Sequence, residues 1–379
     1  MRGSLGSLVL AVWSNFLYGE AQQNRFQTVL TTQPTCDQCV PRELIVAPAV
    51  GFDLTLTYGT VAIRYHNKTV VSVGRVNGSD DYKAMMNRLA EPYNLKYPPF
   101  DNIRDRLQWQ YDQAQRRFRQ SRGLPSTPDI ETLSHFLGQL NRLAEESTPE
   151  SIPPAVFPSL PEIPNLPFGD FDEALGWVNL TRLRSYKSTP SPVNQFNTAF
   201  AGMGYGICTH WSNVEQCDSE EVSQPVRHTL TISYTADEFV VERSTSVTAY
   251  WIYRDARDRT PALGSSHRPL HNPDSIKDYW EQVGDRIKLV ALAGGDPRSL
   301  DTLVLMGESA QNKQLLDTIW KALSELGKVD LYSALQTPQF TTEFVAARGA
   351  AEMAKRAQAG PNGCVERELC REQREPGDE

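Results

Sequence analysis

The sequence predicts a chain of two α/β lobes, and two observations carry this. Strand-like patterns open two regions, near residues 44 and 227, and helical periodicity follows each of them. The chain has 379 residues, 40 % of them apolar, which is enough for two linked cores.

The elements follow in order. Leu44–Ala49, Leu54–Tyr65 and Val70–Val76 are apolar or alternating runs broken by short polar turns, so they read as consecutive antiparallel strands. Asp80–Leu89 begins a helical region. Asn102–Arg122 carries Ile103, Leu107, Ala114 and Phe118 at helical spacing together with six arginines, Arg104, Arg106, Arg116, Arg117, Arg119 and Arg122. Asp105 and Asp112 dilute that charge, and the expectation is a solvated helix rather than an anion site. Thr127 is an N-cap with Pro128 behind it, and Ile130, Leu133, Leu137, Leu140 and Ala144 form one stripe. Seven prolines within 149–167 predict a loop or linker. Phe171–Val178 is a short helix.

From Arg227 the pattern is β again. Leu230, Ile232, Tyr234, Phe239 and Val241 alternate, and Ser244–Tyr253 reads as a further strand. Residues 254–273 are polar and loop-like. Asp274–Leu292 is helical, Leu303–Met306 a short buried strand, and Asn312–Leu326 and Thr342–Ala357 the last two helices. The tail from Pro361 is charged.

Composition and the termini narrow the class. A net charge of −8 disfavours a nucleic-acid partner. Arg2, the apolar stretch Leu5–Tyr18 and Gly19-Glu20-Ala21 have the layout of a secretory leader cut after Ala21. No later run is long and apolar enough to predict a membrane span. The six cysteines fall into three local pairs, Cys36/Cys39, Cys208/Cys217 and Cys364/Cys370, which suits an oxidising compartment. Cys36-Asp37-Gln38-Cys39 lacks both the second ligand pair of a zinc site and the strand and helix of a redox motif, so a structural disulfide or a free pair is expected. Asn67, Asn77 and Asn179 head glycosylation sequons, at about the number chance would supply.

The segment with most chemistry in it is Val50-Gly51-Phe52-Asp53-Leu54-Thr55-Leu56-Thr57-Tyr58-Gly59-Thr60. An Asp ends an apolar strand, and hydroxyl residues turn the chain into the next one. Backbone N–H groups and hydroxyls in such a turn can cradle phosphate, and the carboxylate can hold hydrated Mg²⁺. The segment resembles the first phosphate motif, G-I-D-L-G-T-T-Y-S, of the actin, sugar-kinase and heat-shock-chaperone ATPase superfamily. Three further stretches come in that superfamily's order. Asn197–Gly206, ending Gly204-Tyr205-Gly206, is similar to the first connecting helix. Leu303–Ser309 is similar to the adenosine motif, and Phe344–Ala351 to the second connecting helix. In wording the chain is closest to fungal secretory proteins described as actin-like ATPase-domain proteins, which share Gly-Tyr-Gly followed by a Cys…Cys pair.

This resemblance implies a two-lobed actin-like ATPase fold with RNase H-like lobes, each a mixed sheet flanked by helices. It divides the chain into a leader at 1–21, an N-terminal segment at 22–43, a first lobe at 44–205, a second lobe at 206–360 and a charged tail with a cysteine loop at 361–379. It implies cofactor contacts at Gly51, Asp53, Thr55, Thr57, Tyr58, Gly204, Gly307, Glu308 and Ser309, with Asp53 toward a metal. The departures concern the phosphate positions. Thr55 replaces a glycine and Leu56 a threonine, and Thr231–Glu238 has none of the second motif's glycines. Met306 replaces a second glycine of the adenosine motif, and Lys68 is the one loose candidate for the catalytic lysine. The expectation is a secreted or luminal protein with a degenerate ATPase fold and no catalytic residues. It would bind a protein partner and hold either no cofactor or Mg-ATP/ADP weakly. The alternatives are an Mg-ATP-binding ATPase or a luminal accessory chaperone. Gly307-Glu308-Ser309-Ala310-Gln311 also resembles an esterase elbow, but all six histidines precede Ser309, whereas that fold's catalytic His follows its Ser.

Overall fold

The computed structural model describes residues 35–95, 98–184, 193–211, 214–333, 341–360, 364 and 367–372. The leader read at 1–21 lies outside them. The strands are β1 (Ala49–Leu54), β2 (Tyr58–Arg64), β3 (Val70–Asn77), β4 (Ala155–Leu160), β5 (Thr181–Arg182), β6 (Val193–Asn194), β7 (Arg227–Tyr234), β8 (Phe239–Ser246), β9 (Ile252–Thr260) and β10 (Thr302–Met306). The described helices of eight residues or more are α1 (Asp80–Leu89), α2 (Ile103–Ser121), α3 (Pro128–Glu146), α4 (Phe168–Gly176), α5 (Gln195–Gly202), α6 (Val214–Ser223), α7 (Pro273–Ala293), α8 (Lys313–Glu325) and α9 (Val345–Ala359).

Two mixed sheets result, and they repeat one plan. The first runs β3-β2-β1-β4-β5, with β6 also beside β4; the second runs β10-β7-β8-β9. In each, the first strand in sequence is flanked by an antiparallel hairpin partner on one side and a parallel strand on the other. Every residue of β1 and β2 is buried, because both faces of that sheet are covered. One face meets α1 and α3 through Phe52, Leu54, Tyr82, Met86, Phe136 and Leu137. The second core gathers Leu230, Ile232, Val283, Ile287, Leu315 and Ile319 from β7, α7 and α8.

Between the sheets lies the pair α5 and α9. Ala49 and Phe157 of the first sheet pack with Phe200, Ala350 and Ala354, while Val240, Val304 and Met306 of the second pack with Ala199, Val345 and Ala346. Three glycines allow this closeness. A Cβ on Gly349 would sit 1.7 Å from the Thr198 carbonyl oxygen, one on Gly202 would sit 2.0 Å from that of Val345, and one on Gly51 would sit 2.1 Å from the Ala351 nitrogen. These are backbone atoms on both sides, so no rotamer change relieves them.

Four expectations need correction. Arg42–Val46 is a short helix rather than a strand, bracketed by Pro41 and Pro48. The proline-rich stretch holds β4, a buried strand parallel to β1. Pro158 fits there because the neighbour on β4's other side is broken opposite it: β5 pairs with Ala155 and Val156, and β6 with Ser159 and Leu160. The strand read at Ser244–Tyr253 divides at a turn in which Val247 N donates to Trp251 O, and β9 runs on to Thr260 through residues expected to be loop. β9 is a charged edge strand, which is why its pattern looks like a loop. Lastly, two cysteine pairings are long-range: Cys36 bonds Cys364 and Cys39 bonds Cys370, while Cys208–Cys217 is local.

The long-range disulfides fasten the N-terminal segment beside α9. Lys355 of α9 is 1 % exposed and donates to Ile45 O at 2.5 Å and Ala47 O at 2.6 Å. Gln358 donates to Leu44 O at 2.8 Å. Burial pulls the Lys355 ammonium down to about 8. The three sequon asparagines are exposed.

The glycine contacts lead to a test. In an open helix Gly→Ala gains about 1 kcal/mol, but at Gly349 the backbone overlap should cost about 3 kcal/mol or more. Gly349→Ala should therefore lower the denaturant midpoint sharply. Gly169→Ala, in α4 at a position with no atom within 4 Å of a new Cβ, should leave the midpoint unchanged or raise it, by up to about 1 kcal/mol.

Candidate functional site

The cleft between the sheets is lined by the ends of β1, β7 and β10, the two hairpin turns, and the start of α9, including Asp53, Thr55, Tyr58, Thr235, Glu238 and Gly307. The centre of a water-sized sphere finds ≈ 10 Å³ of room in it. That suits about one water, whereas a pocket for a drug-sized molecule needs roughly 300 Å³ or more. A mostly apolar hollow of ≈ 220 Å³ lies beside it, bordered by Leu160, Ile163, Phe168 and Phe171.

Asp53 is the last residue but one of β1 and is 2 % exposed. Its Oδ1 accepts from Ser159 Oγ at 2.8 Å and Gln195 Nε2 at 2.9 Å. Gln195 also donates to Leu54 O, and Ser159 Oγ bonds Thr198 Oγ1 at 2.7 Å. Both partners are neutral, so burial dominates and raises the Asp53 carboxyl to about 7.

The two hairpin turns are built alike. In the first, Thr55 Oγ1 accepts from Thr57 N at 3.2 Å and Tyr58 N at 3.0 Å and donates to Tyr58 O at 2.8 Å. In the second, Thr235 Oγ1 accepts from Glu238 N at 3.2 Å and donates to Glu238 O at 3.2 Å. Ala236 N, beside it, donates to Glu308 Oε1 at 2.6 Å. Threonine thus occupies backbone donors that a glycine turn would turn toward an anion. The local charge is unfavourable as well. Glu238 is held by Arg259 at 2.5 Å and Glu343 by Arg75 at 2.9 Å, so these arginines are already paired. Arg75 also lies over the Tyr58 ring, 4.0 Å from its centroid.

The remaining candidates do structural work. Gly51 admits α9. Gly204, at φ +82°, ends α5, with Gly204 N bonding Ala201 O. Gly307, at φ +99°, lies so near β7 that a Cβ would stand 2.4 Å from Tyr234 O, and its N–H donates to Thr342 O at 3.2 Å. Ser309 N donates to Tyr234 O at 3.1 Å and its hydroxyl bonds Ser265 Oγ at 2.8 Å. That hydroxyl pairs with a serine, so the esterase reading finds no support. Lys68, at φ +71°, sits in the β2–β3 turn, at the opposite end of β2 from the cleft. Burial raises the Glu308 carboxyl, and it faces Tyr58 across the cleft wall. Taken together, these residues do not fit Mg-ATP: the space is missing, the turn donors are used, and no lysine reaches in among the described residues.

The cleft mouth is bolted by ion pairs between the sheets. Glu162, just after β4, bonds Arg257 and lies 3.1 Å from Arg254, both on β9. Arg254 also pairs with the buried Glu242 at 2.9 Å. Arg259 donates to Ala90 O at the end of α1, at 2.9 Å. Comparison of the chain with protein-family models and with curated proteins finds no match in either.

Sequence reasoning found Asp53 and Thr55 but missed Ser159, Gln195, Thr235 and Arg259. Thr235 was discoverable: Thr55-Leu56-Thr57-Tyr58 and Thr235-Ala236-Asp237-Glu238 are both Thr followed by three residues between alternating strands. Ser159 and Gln195 come from segments distant in sequence, and only the tertiary fold brings them to Asp53.

The raised Asp53 carboxyl has a pH signature. Its folded pKa lies above its unfolded value, so the native state holds more protons between about pH 4 and 7. Stability then falls as pH rises through that window. The fully formed charge costs on the order of 4 kcal/mol. Asp53→Asn keeps an acceptor for Ser159 and Gln195 and removes the cost. Thermal melts should place it above the parent at about pH 8 and level with it near pH 4.

Proposed function

We propose that this chain is a degenerate, non-catalytic relative of the actin and chaperone-type ATPases, working in the secretory pathway or outside the cell by binding a protein partner. The observation that carries the reading is the shut cleft: Thr55 and Thr235 cap their own turns, and Asp53 is buried among neutral partners. Phosphoryl transfer relies on positioned donors and charge neutralisation, and both are spent here on internal contacts.

The family part of the reading draws on the repeated sheet plan and on the helix pair. Both sheets have a first strand flanked by an antiparallel hairpin and a parallel strand. The two segments that resemble connecting helices are the ones that cross between the sheets. The secretory part draws on three disulfides. No helix among the described residues is long and apolar enough to cross a membrane.

Calorimetry and thermal shift of the mature protein with Mg-ATP and Mg-ADP test this. No heat of binding and no change in melting temperature are expected up to millimolar nucleotide. A saturable stabilisation that Asp53→Ala abolishes would replace this reading with that of an Mg-ATP-binding ATPase.

A further inference from the structure

Helix α2 (Ile103–Ser121) has its amphipathicity turned outward. Ile103, Leu107, Tyr111, Ala114 and Phe118 span an arc of about 80° at 3.6 residues per turn. Ile103 is 76 % exposed, Leu107 58 %, Tyr111 59 % and Phe118 57 %, and no residue of the helix is buried. The opposite face, polar apart from Trp109, which lies 5.8 Å from the Phe100 ring, is the one that meets the body. Arg116 forms a two-pronged pair with Asp170 at 2.8 and 2.6 Å, Arg119 bonds Glu131 at 2.8 Å, and Gln120 bonds Ser126 at 2.6 Å. An amphipathic helix of a monomer ordinarily does the reverse.

Arginines border the outward stripe on both edges. Arg106 and Arg117 lie on one side, Arg104 and Arg122 on the other, given the helical repeat. None of them forms an ion pair with a described residue, and Arg122 lies over the Phe118 ring at 4.2 Å. Leu107, Tyr111, Ala114 and Phe118 follow the 4-3-4 spacing of a coiled-coil seam, and Ala114 lets a second backbone come close.

We propose that α2 is a docking surface for an acidic amphipathic helix of a partner protein, which lays an apolar seam on Leu107, Tyr111, Ala114 and Phe118 and places carboxylates against the bordering arginines. A second copy of this chain fits poorly, because pairing two α2 helices sets arginine beside arginine. A bilayer fits poorly too, because the stripe is as narrow as a coiled-coil seam and Gln108, Gln110 and Gln115 edge it. This inference names the partner chemistry for the partner-binding reading and rests on it. The nucleotide measurement above is independent, so failure of one does not decide the other.

The probe is a fluorescent three-heptad peptide with Leu at the seam and Glu on both borders, read by anisotropy against the mature protein. A control peptide carries Lys on the borders. The acidic peptide should bind at least about tenfold tighter than the basic one, and more weakly as salt rises. Leu107→Glu and the pair Arg106→Glu with Arg117→Glu should each weaken it about tenfold or more. Both variants change exposed side chains, and unchanged melting temperatures verify their folding. Equal binding of the two peptides, binding of neither, or full binding by Leu107→Glu would overturn the proposal. So would a dimer in sedimentation that Leu107→Glu dissolves, or Leu107-dependent sedimentation with vesicles of phosphatidylcholine and phosphatidylserine.

Discussion

The crossing of α5 and α9 is the contact from which the rest of the molecule follows. Gly202 and Gly349 bring the two backbones together, and Gly51 lets α9 lie directly on β1. Because one helix pair packs against both sheets, the sheets are held at a fixed spacing, and the cleft between them is set by that spacing. The N-terminal segment is drawn into the same assembly. Two disulfides, the buried Lys355 and Gln358 attach residues 36–48 to the α9 side of the fold. In a chain-entropy account, closing a loop of 328 residues is worth roughly 5 to 6 kcal/mol. The second disulfide, closing only the short remainder, adds less.

Within that frame the cleft satisfies itself. Each hairpin turn that faces it uses a threonine hydroxyl to bind the N–H groups beside it. The threonine hydroxyl supplies the acceptor that an anion would otherwise provide. Asp53 follows the same logic. It is held by a serine and a glutamine rather than by a cation, and it pays for that with a raised pKa. Ion pairs from Glu162 to Arg254 and Arg257 then close the mouth. On the outside of the molecule α2 stands with its apolar side to solvent, and that is the surface proposed for a partner.

The fold was legible where local pattern and burial agree. Thr127 and Pro128 open α3 as expected, with Thr127 accepting from Ile130 N, and the Leu303–Met306 run is a fully buried strand. It was illegible where tertiary context overrides local preference. Seven prolines hide β4, because the broken neighbouring strand that tolerates Pro158 cannot be seen in sequence. Alternating Arg and Asp hide β9, because its charges are answered by Glu162, Glu242 and Arg286 elsewhere. Cysteine partners were misread for the same reason: spacing favours Cys36 with Cys39, but only the docking of the chain ends brings Cys364 and Cys370 within reach. At the site, Asp53 was visible as a strand end, whereas its neutral partners come from residues 159 and 195.

The central claim is that the turn amides are already bound by the protein itself. Hydrogen exchange read on peptides covering residues 55–58 and 235–238, with and without millimolar Mg-ATP, tests it most directly. The account predicts that the Thr57, Tyr58, Ala236 and Glu238 amides exchange slowly without nucleotide and that Mg-ATP leaves their rates unchanged. Fast exchange at these amides, slowed by Mg-ATP, would contradict it.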